Sequence, residues 1–345
     1  MTGRLWLLIL FLSAVSCVEP YDPQLKGGTK YLVFEGTLTN APGPYRFTLT
    51  FSAGYNSQES VFDERVKGAT MTLSDDQNRR TIFLDDGRGN FSSPAGFRGE
   101  TDRTYTLSIA YQGMTYRSDP ELLRPVAPID TVYTRFQPIA QPGSTINGEF
   151  KVFIDVIDPP GEENYYQWDW IHFEKADQCL LFRPSGTNVT YAQRCCSDCW
   201  NITRSTGQIL LASDRLINGR RLSGQRVGAV PNDDISPYYL RIGQQSLNRG
   251  AYQYWLAIQN LTGNVGSVFD VPPAALTGNL RNTNPAGPPL LGYFQVSARR
   301  EKIVYINRLS APLLPFAVSE FPFWSTCTAC TESSYRTEQR PDGWR

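Results

Sequence analysis

Short runs of alternating apolar and polar residues, closed by glycine, proline or asparagine turns, recur roughly every 8–12 residues along much of the chain. The clearest is Tyr45-Arg46-Phe47-Thr48-Leu49-Thr50-Phe51, which follows the turn Asn40-Ala41-Pro42-Gly43-Pro44. Alternation with period two sends one face of a strand to a core and the other to water. Tyr31–Gly36, Ala69–Leu73, Thr81–Leu84 and Tyr105–Tyr111 extend the pattern, with turns at Asp85–Asn90 and Gln112-Gly113. The Asp85–Asn90 segment lacks the spaced oxygens of a calcium loop and reads as a glycine turn. Residues 30–124 are therefore expected to form a β-sandwich.

Leu123-Arg124-Pro125-Val126-Ala127-Pro128 reads as a linker, and a second sandwich is expected over 125–312. Phe150–Val156 and Tyr165–Ile171 predict a hairpin around Asp158-Pro159-Pro160-Gly161. Tyr238–Gln244, Leu291–Ser297 and Lys302–Ile306 supply further strands. Residues 176–235 carry few periodic signals and read as an irregular, cysteine-rich insertion. Ser246–Ile258 fits the one short helix, with Ser246 as its N-cap. The fold class expected is mainly all-β: two immunoglobulin-like or prealbumin-like sandwiches, followed by a cysteine-containing tail over 313–345. A length of 345 residues agrees with two domains at ~150 residues each.

The N-terminus predicts an address outside the cytoplasm. One cation, Arg4, precedes the apolar run Leu5–Leu12 and the small residues Ser13-Ala14-Val15-Ser16 before Cys17. That is the order of a secretory signal, and the run is too short for a membrane span of about 20 residues. Ala14-Val15-Ser16-Cys17 resembles a loose lipobox of the Bacteroidetes kind, so residues 1–16 are expected to be removed and Cys17 acylated. Membrane lipid is then the first partner, held by ~0.8 kcal/mol per buried methylene. Residues 17–29, with Pro20 and Pro23, form an extended tether.

Seven cysteines minus Cys17 leave Cys179, Cys195, Cys196, Cys199, Cys327 and Cys330. An even remainder in an exported chain suits disulfides, and the adjacent Cys195 and Cys196 are expected to pair elsewhere. At least one bridge is expected between the tail and the middle cluster. The alternative is a structural zinc held by Cys196-Ser-Asp-Cys199 and Cys327-Thr-Ala-Cys330. Neither version is catalytic.

His172 is the sole histidine, and it lies in the strand-like Trp168-Asp-Trp-Ile-His-Phe173. Triads and histidine metal sites must use it or do without, and its setting reads as structural. Nucleotide, P-loop, GxSxG and HExxH fingerprints are lacking, so no catalytic residue, metal or cofactor is expected. Lys+Arg equal Asp+Glu, which argues against a nucleic-acid partner. Tyr166, Trp168 and Trp170 share a strand face; with Trp200 they are candidate binding aromatics, although sandwich cores hold such rows routinely.

The ordered landmarks resemble a known family. They are Cys17-Val-Glu-Pro-Tyr-Asp-Pro23, Val33-Phe-Glu-Gly36, Asn40–Tyr45, Val66-Lys-Gly-Ala69, Pro128–Tyr133, Asp158-Pro159, Asn164–Trp168, Ala251–Trp255, Gly278-Asn279, Leu291–Phe294 and Pro341–Trp344. Together they are similar to the Bacteroidetes lipoproteins catalogued as domain-of-unknown-function family 4249. Gly343 departs from the pattern, where Phe is expected. The resemblance implies an outer-membrane lipoprotein encoded beside TonB-dependent transporters of the starch-utilisation type, and it carries no activity. Its N-terminal part also looks similar to the non-catalytic carboxypeptidase regulatory-like sandwich. The function expected is a non-catalytic accessory subunit of such a transporter, contacting it through the 176–235 insertion. The alternatives are a surface carbohydrate-binding lipoprotein and a carboxylate-only glycoside hydrolase.

Overall fold

The computed structural model describes residues 30–52, 65–140, 143–144, 146–263, 276–316 and 321–345. The leader, Cys17, the tether and Pro272-Pro273 lie outside the described residues. The chain is mainly β, with a single α-helix among the described residues.

Eight strands open the fold: β1 (Leu32–Thr39), β2 (Arg46–Phe51), β3 (Thr70–Asp75), β4 (Arg80–Asp85), β5 (Asn90–Ser92), β6 (Thr104–Tyr111), β7 (Met114–Ser118) and β8 (Glu121–Leu122). The β6–β7 hairpin turns at Gln112 (φ 48°) and Gly113 (φ 76°). Two consecutive positive φ values match the right-handed twist of the strands they join. In the Asp85–Asn90 turn the carboxylates are consumed by backbone amides: Asp85 accepts from Gly87 and Gly68, and Asp86 from Arg88 and Asn90. Phe47, Leu49, Met71, Leu73, Phe91, Leu107 and Ile109 point inward and are almost fully buried. Phe47 stacks on Phe83 at 4.4 Å and meets Phe34 and Phe294 edge-on.

Phe294 belongs to a late segment that completes this first body. Helix α1 (Arg249–Gly263) precedes β18 (Leu280–Asn282), β19 (Leu290–Leu291) and β20 (Phe294–Ser297). β18 pairs with β7, while β19 and β20 run parallel to β1. Residues 280–297, expected in the second sandwich, thus hydrogen-bond to the first. Gly292 (φ +108°) makes the step between β19 and β20; a Cβ there would lie 2.1 Å from the Phe34 carbonyl oxygen. Leu123 and Val126, in the expected linker, are buried in the same hydrophobic core that extends to Ile306.

The second body uses β9 (Ile129–Pro138), β10 (Gly148–Ile157), β11 (Tyr165–Lys175), β12 (Gln178–Phe182), β13 (Tyr191–Cys195), β14 (Trp200–Arg204), β15 (Leu210–Ser213), β16 (Arg221–Pro231) and β17 (Tyr238–Leu247). After α1 and the strands above come β21 (Arg299–Ile306), β22 (Phe323–Thr328) and β23 (Arg336–Thr337). One sheet has the order β16-β10-β9; the other runs β21-β17-β11-β14-β23, with β15 also on β11. Phe150, Val152, Ile154 and Val156 from the first meet Tyr166, Trp168, Leu240 and Ile242 from the second.

The structure corrects four further expectations. β10 and β11 are not a hairpin: β10 pairs with β9 and β16, so the Pro159-Pro160 turn crosses between sheets. Residues 176–235 are not irregular; they hold β12 to β16, and β16 closes a sheet. Ser246 is a buried strand residue whose hydroxyl donates to the Arg124 carbonyl, and the first helical bond starts at the Asn248 carbonyl. The tail is held by strand pairing as well as by cysteines, since β22 joins β13 and β23 joins β14.

A buried carboxylate locks the two bodies. Glu121, 5% exposed, accepts from Asn279 (2.9 Å), Tyr293 (2.5 Å) and Asn248 (2.5 Å). Burial raises its carboxyl pKa, and the three donors oppose that rise. Arg299 adds a second link: its backbone N–H donates to Asn40 Oδ1 of the first body (2.6 Å), while its guanidinium forks onto Asp169 within its own sheet at 2.5 and 2.7 Å.

Candidate functional site

Beyond the end of β11 the chain builds a thin lobe. β12, β13 and β22 form a three-stranded sheet, with β22 parallel to β13. Three disulfides pin it: Cys179–Cys195 across β12 and β13, then Cys196–Cys327 and Cys199–Cys330 between the middle cluster and the tail. The two Cys-x-x-Cys motifs therefore pair with each other in order, first to first and last to last. Sγ atoms of Cys179, Cys199 and Cys330 lie within 4.8 Å of one another, but all three are spent in disulfides. Thiolates for zinc are lacking in this arrangement. Cys199 and Cys330 are buried with Ala176, making a small sulfur-filled core.

A three-stranded sheet has little to bury its side chains against, and this one leaves them in water. Leu180, Leu181, Val189, Phe323 and Trp324 are each 43–48% exposed. Phe182, Tyr191 and Trp324 form a ring triad with centroids 5.3–5.9 Å apart. On the opposite face of β22, the Arg194 guanidinium lies 4.4 Å from the Phe323 ring centre. Phe316 and Leu314, on the approach to β22, are 54% and 73% exposed. Apolar exposure on both faces of so small a sheet marks it as a candidate contact surface. Disulfides keep it in shape without a large core behind it.

The candidate aromatics lie elsewhere. Tyr166 and Trp168 are 2% and 3% exposed in the core; Tyr166 donates to Asp158 (2.6 Å) and Trp168 to Gln244 (2.8 Å). Trp170 is half-buried against Gly228, and Trp200 is 3% exposed beneath Trp344. Tyr166, Trp168 and Trp200 are too deeply buried to present a ring face to solvent, and Trp170 is partly covered. The exposed aromatics come from Phe321-Pro-Phe-Trp324, a segment that sequence reasoning left as tail. Its signal was present: a Phe/Trp run three residues before a cysteine.

A cleft of about 480 Å³ adjoins the lobe, lined by residues including His172, Glu174, Asp177, Arg308, Tyr305 and Trp344. β11 places His172 and Glu174 on one face, since they are two residues apart. His172 is 6% exposed, its ring stacked on Tyr238 at 3.6 Å, and its Nδ1 sits 2.7 Å from the Tyr239 carbonyl. That carbonyl can only accept, so Nδ1 carries the proton and Nε2 is left as an acceptor. Burial lowers the His172 pKa to about 4, so the ring is neutral near pH 7. Loss of surrounding water raises the Glu174 carboxyl against the pull of Arg308, although its tip is open to solvent. Arg308, 2% exposed, is saturated by Ser236 and Asp233. Trp344 is set by Tyr239, which donates to the Asp342 carbonyl at 2.9 Å, and Gly343 takes φ +67°. Glycine adopts that conformation more readily than the expected Phe.

Asp158 and Asp214 form a carboxylate pair of a different kind. They are 1% and 0% exposed and bonded to each other; burial raises Asp214 first, and Asp158 adds to it. They accept from Tyr166, Gly219 and Asn164 and brace two loops away from solvent.

Among curated proteins none matches this chain. A family model spans residues 18–303, covering the first body, most of the second and the middle cysteines and stopping before Cys327 and Cys330, and by it the chain belongs to the family described as Domain of unknown function (DUF4249).

Proposed function

We propose that this protein is a lipid-anchored outer-membrane lipoprotein that acts by binding, without chemical turnover, as an accessory subunit of a TonB-dependent outer-membrane transporter. The observation that carries the docking reading is the Phe182–Tyr191–Trp324 triad, with Trp324 exposed and the other two rings half-buried beside it, on a disulfide-pinned lobe. Aromatic side chains give large contact area for little ordering cost, and a pre-shaped surface loses little entropy on association. The anchor is supported by Ala14-Val15-Ser16-Cys17 after a short apolar run. Tethering to the membrane raises the effective concentration of the body near any membrane partner, commonly to the millimolar range. A modest docking face is then sufficient.

The test is affinity purification from native membranes. Wild-type protein is expected to bring down an outer-membrane transporter, and the paired change Phe182→Ser, Trp324→Ser, both on the triad, is expected to lose it while the three disulfides still form. Cys17→Ala is expected to leave protein outside the membrane lipoprotein fraction and without acyl mass. Full transporter recovery with the altered lobe would remove the lobe from the interface. Hydrolysis of glycans by the purified protein would overturn the reading without turnover.

A further inference from the structure

We propose that the cleft between the end of β11 and Trp344 is a binding site for a neutral saccharide. A volume of about 480 Å³ lies within the roughly 300–1,000 Å³ of small-molecule sites. The charges on its wall cancel: Glu174, Asp177 and Asp234 face Lys175, Arg308 and Arg345. Several of these are already engaged. Lys175 pairs with Asp198 at 2.8 Å, Arg308 with Asp233 and Asp234, and Arg345 lies over the Tyr305 ring. Neither a cation nor an anion gains much from such a wall.

Acceptors remain open. The Nε2 of His172 belongs to a side chain more than nine-tenths buried, and its proton-bearing partner Nδ1 is fixed on the Tyr239 carbonyl. No hydrogen bond or ion pair engages the Glu174 carboxylate among the described residues. The same cleft is lined by the rings of Tyr305 and Trp344, which meet edge-on at 6.5 Å and both pack on Tyr239. A sugar ring offers hydroxyl donors around its edge and a C–H face for an aromatic ring, which is the complement of this wall. Metal binding is the weaker fit, because the cysteine sulfurs are the cluster of possible ligand atoms that converges among the described residues, and His172 is not part of it. The cleft shares no aromatic residue with the docking face, so either can fail alone.

The experiment uses the full mature protein in a non-glycosidic detergent. It is titrated with glucose, galactose, mannose, N-acetylglucosamine and their disaccharides, following tryptophan fluorescence and calorimetry. At least one sugar is expected to give a saturable response in the millimolar range or tighter. Trp344→Ala and Glu174→Gln are each expected to weaken it about tenfold or more, while Trp324→Ser leaves it unchanged. Glu174 is exposed and makes no hydrogen bond or ion pair among the described residues, so that variant keeps its fold even if loss of Trp344 loosens the tail. No saturable response to any of these sugars overturns the proposal, as does a response untouched by both cleft variants. A response to choline or acetate in place of sugars overturns the assigned class.

Discussion

The first body and the cysteine lobe solve the problem of holding short strands together in opposite ways. Around β1 to β7 the work is done by apolar burial: Phe34, Phe47, Phe91 and Phe294 are essentially water-free, and cysteine is absent from this region. In the lobe the strands have almost no core, and three covalent bridges stand in for one. Burial makes stability and hides the side chains that supply it. Cross-linking frees apolar residues to face outward, where Leu181 and Trp324 are available for contact.

Removing both tail bridges, by Cys327→Ser with Cys330→Ser, tests that contrast most severely. Each closes a loop spanning 131 residues, so loss of the pair is expected to remove about 5 kcal/mol of chain-entropy stabilisation. Hydrogen exchange should rise through β12, β13 and β22 and stay slow in β1 to β7; uniform loosening would break the contrast. Phe47→Ala should do the reverse, costing about 3–5 kcal/mol in denaturant melts while the lobe keeps its bridges. A loss below about 1 kcal/mol would mean that the first core is not what holds that body.

A third measurement concerns pH. The unfolded state protonates His172 near pH 6.5 and the native state only near 4. Stability from its neutral form is therefore complete above about 6.5 and lost as pH falls toward 4, on the order of 3 kcal/mol in full. Raised carboxyls such as Glu121 and Glu174 act in the opposite sense, being lost as pH rises. The difference in melting between wild type and His172→Phe isolates the histidine, and a parallel pair of pH profiles would refute its buried neutrality. The smallest effect is expected from removing one tail bridge, Cys196–Cys327. Cys199–Cys330 still closes nearly the same loop, so the cost should stay within about 1 kcal/mol.

What the sequence revealed follows from how each region is stabilised. A half-buried antiparallel strand displays period two, so β2 and β6 were readable from Phe47 and Leu107 outward. β17 is buried on both faces and has no such alternation along its length, though its apolar content marked it as a strand. The strands at 178–213 are four or five residues long, and the edge positions of β12 are exposed. Too little pattern accumulates there to separate them from loop. Cysteine parity showed that bridges form, while their partners depended on a parallel pairing that spacing cannot encode. The Ser246 cap failed because a hydroxyl before a helix looks alike whether it caps the helix or braces a strand. Phe182 and Tyr191 of the proposed docking face fall within the 176–235 segment expected to make contact, whereas Trp324 was left in the tail because it has no alternation around it and its exposure comes from a sheet too small to cover it.

The parallel pairing of β1 with β19 and β20 has a consequence for the order of synthesis. Leu32 must wait for Leu290, and Thr39 for Ser297, before the first sheet has its neighbour. Nearly all of the chain is made before its opening strand can be fully paired, which gives this fold a high contact order and a slow closing step. Under the export proposed above, that delay is useful, because a body that cannot close early remains threadable through secretion machinery. Sulfur pairing between the middle cluster and the tail then falls at the end, after Cys327 and Cys330 have been made.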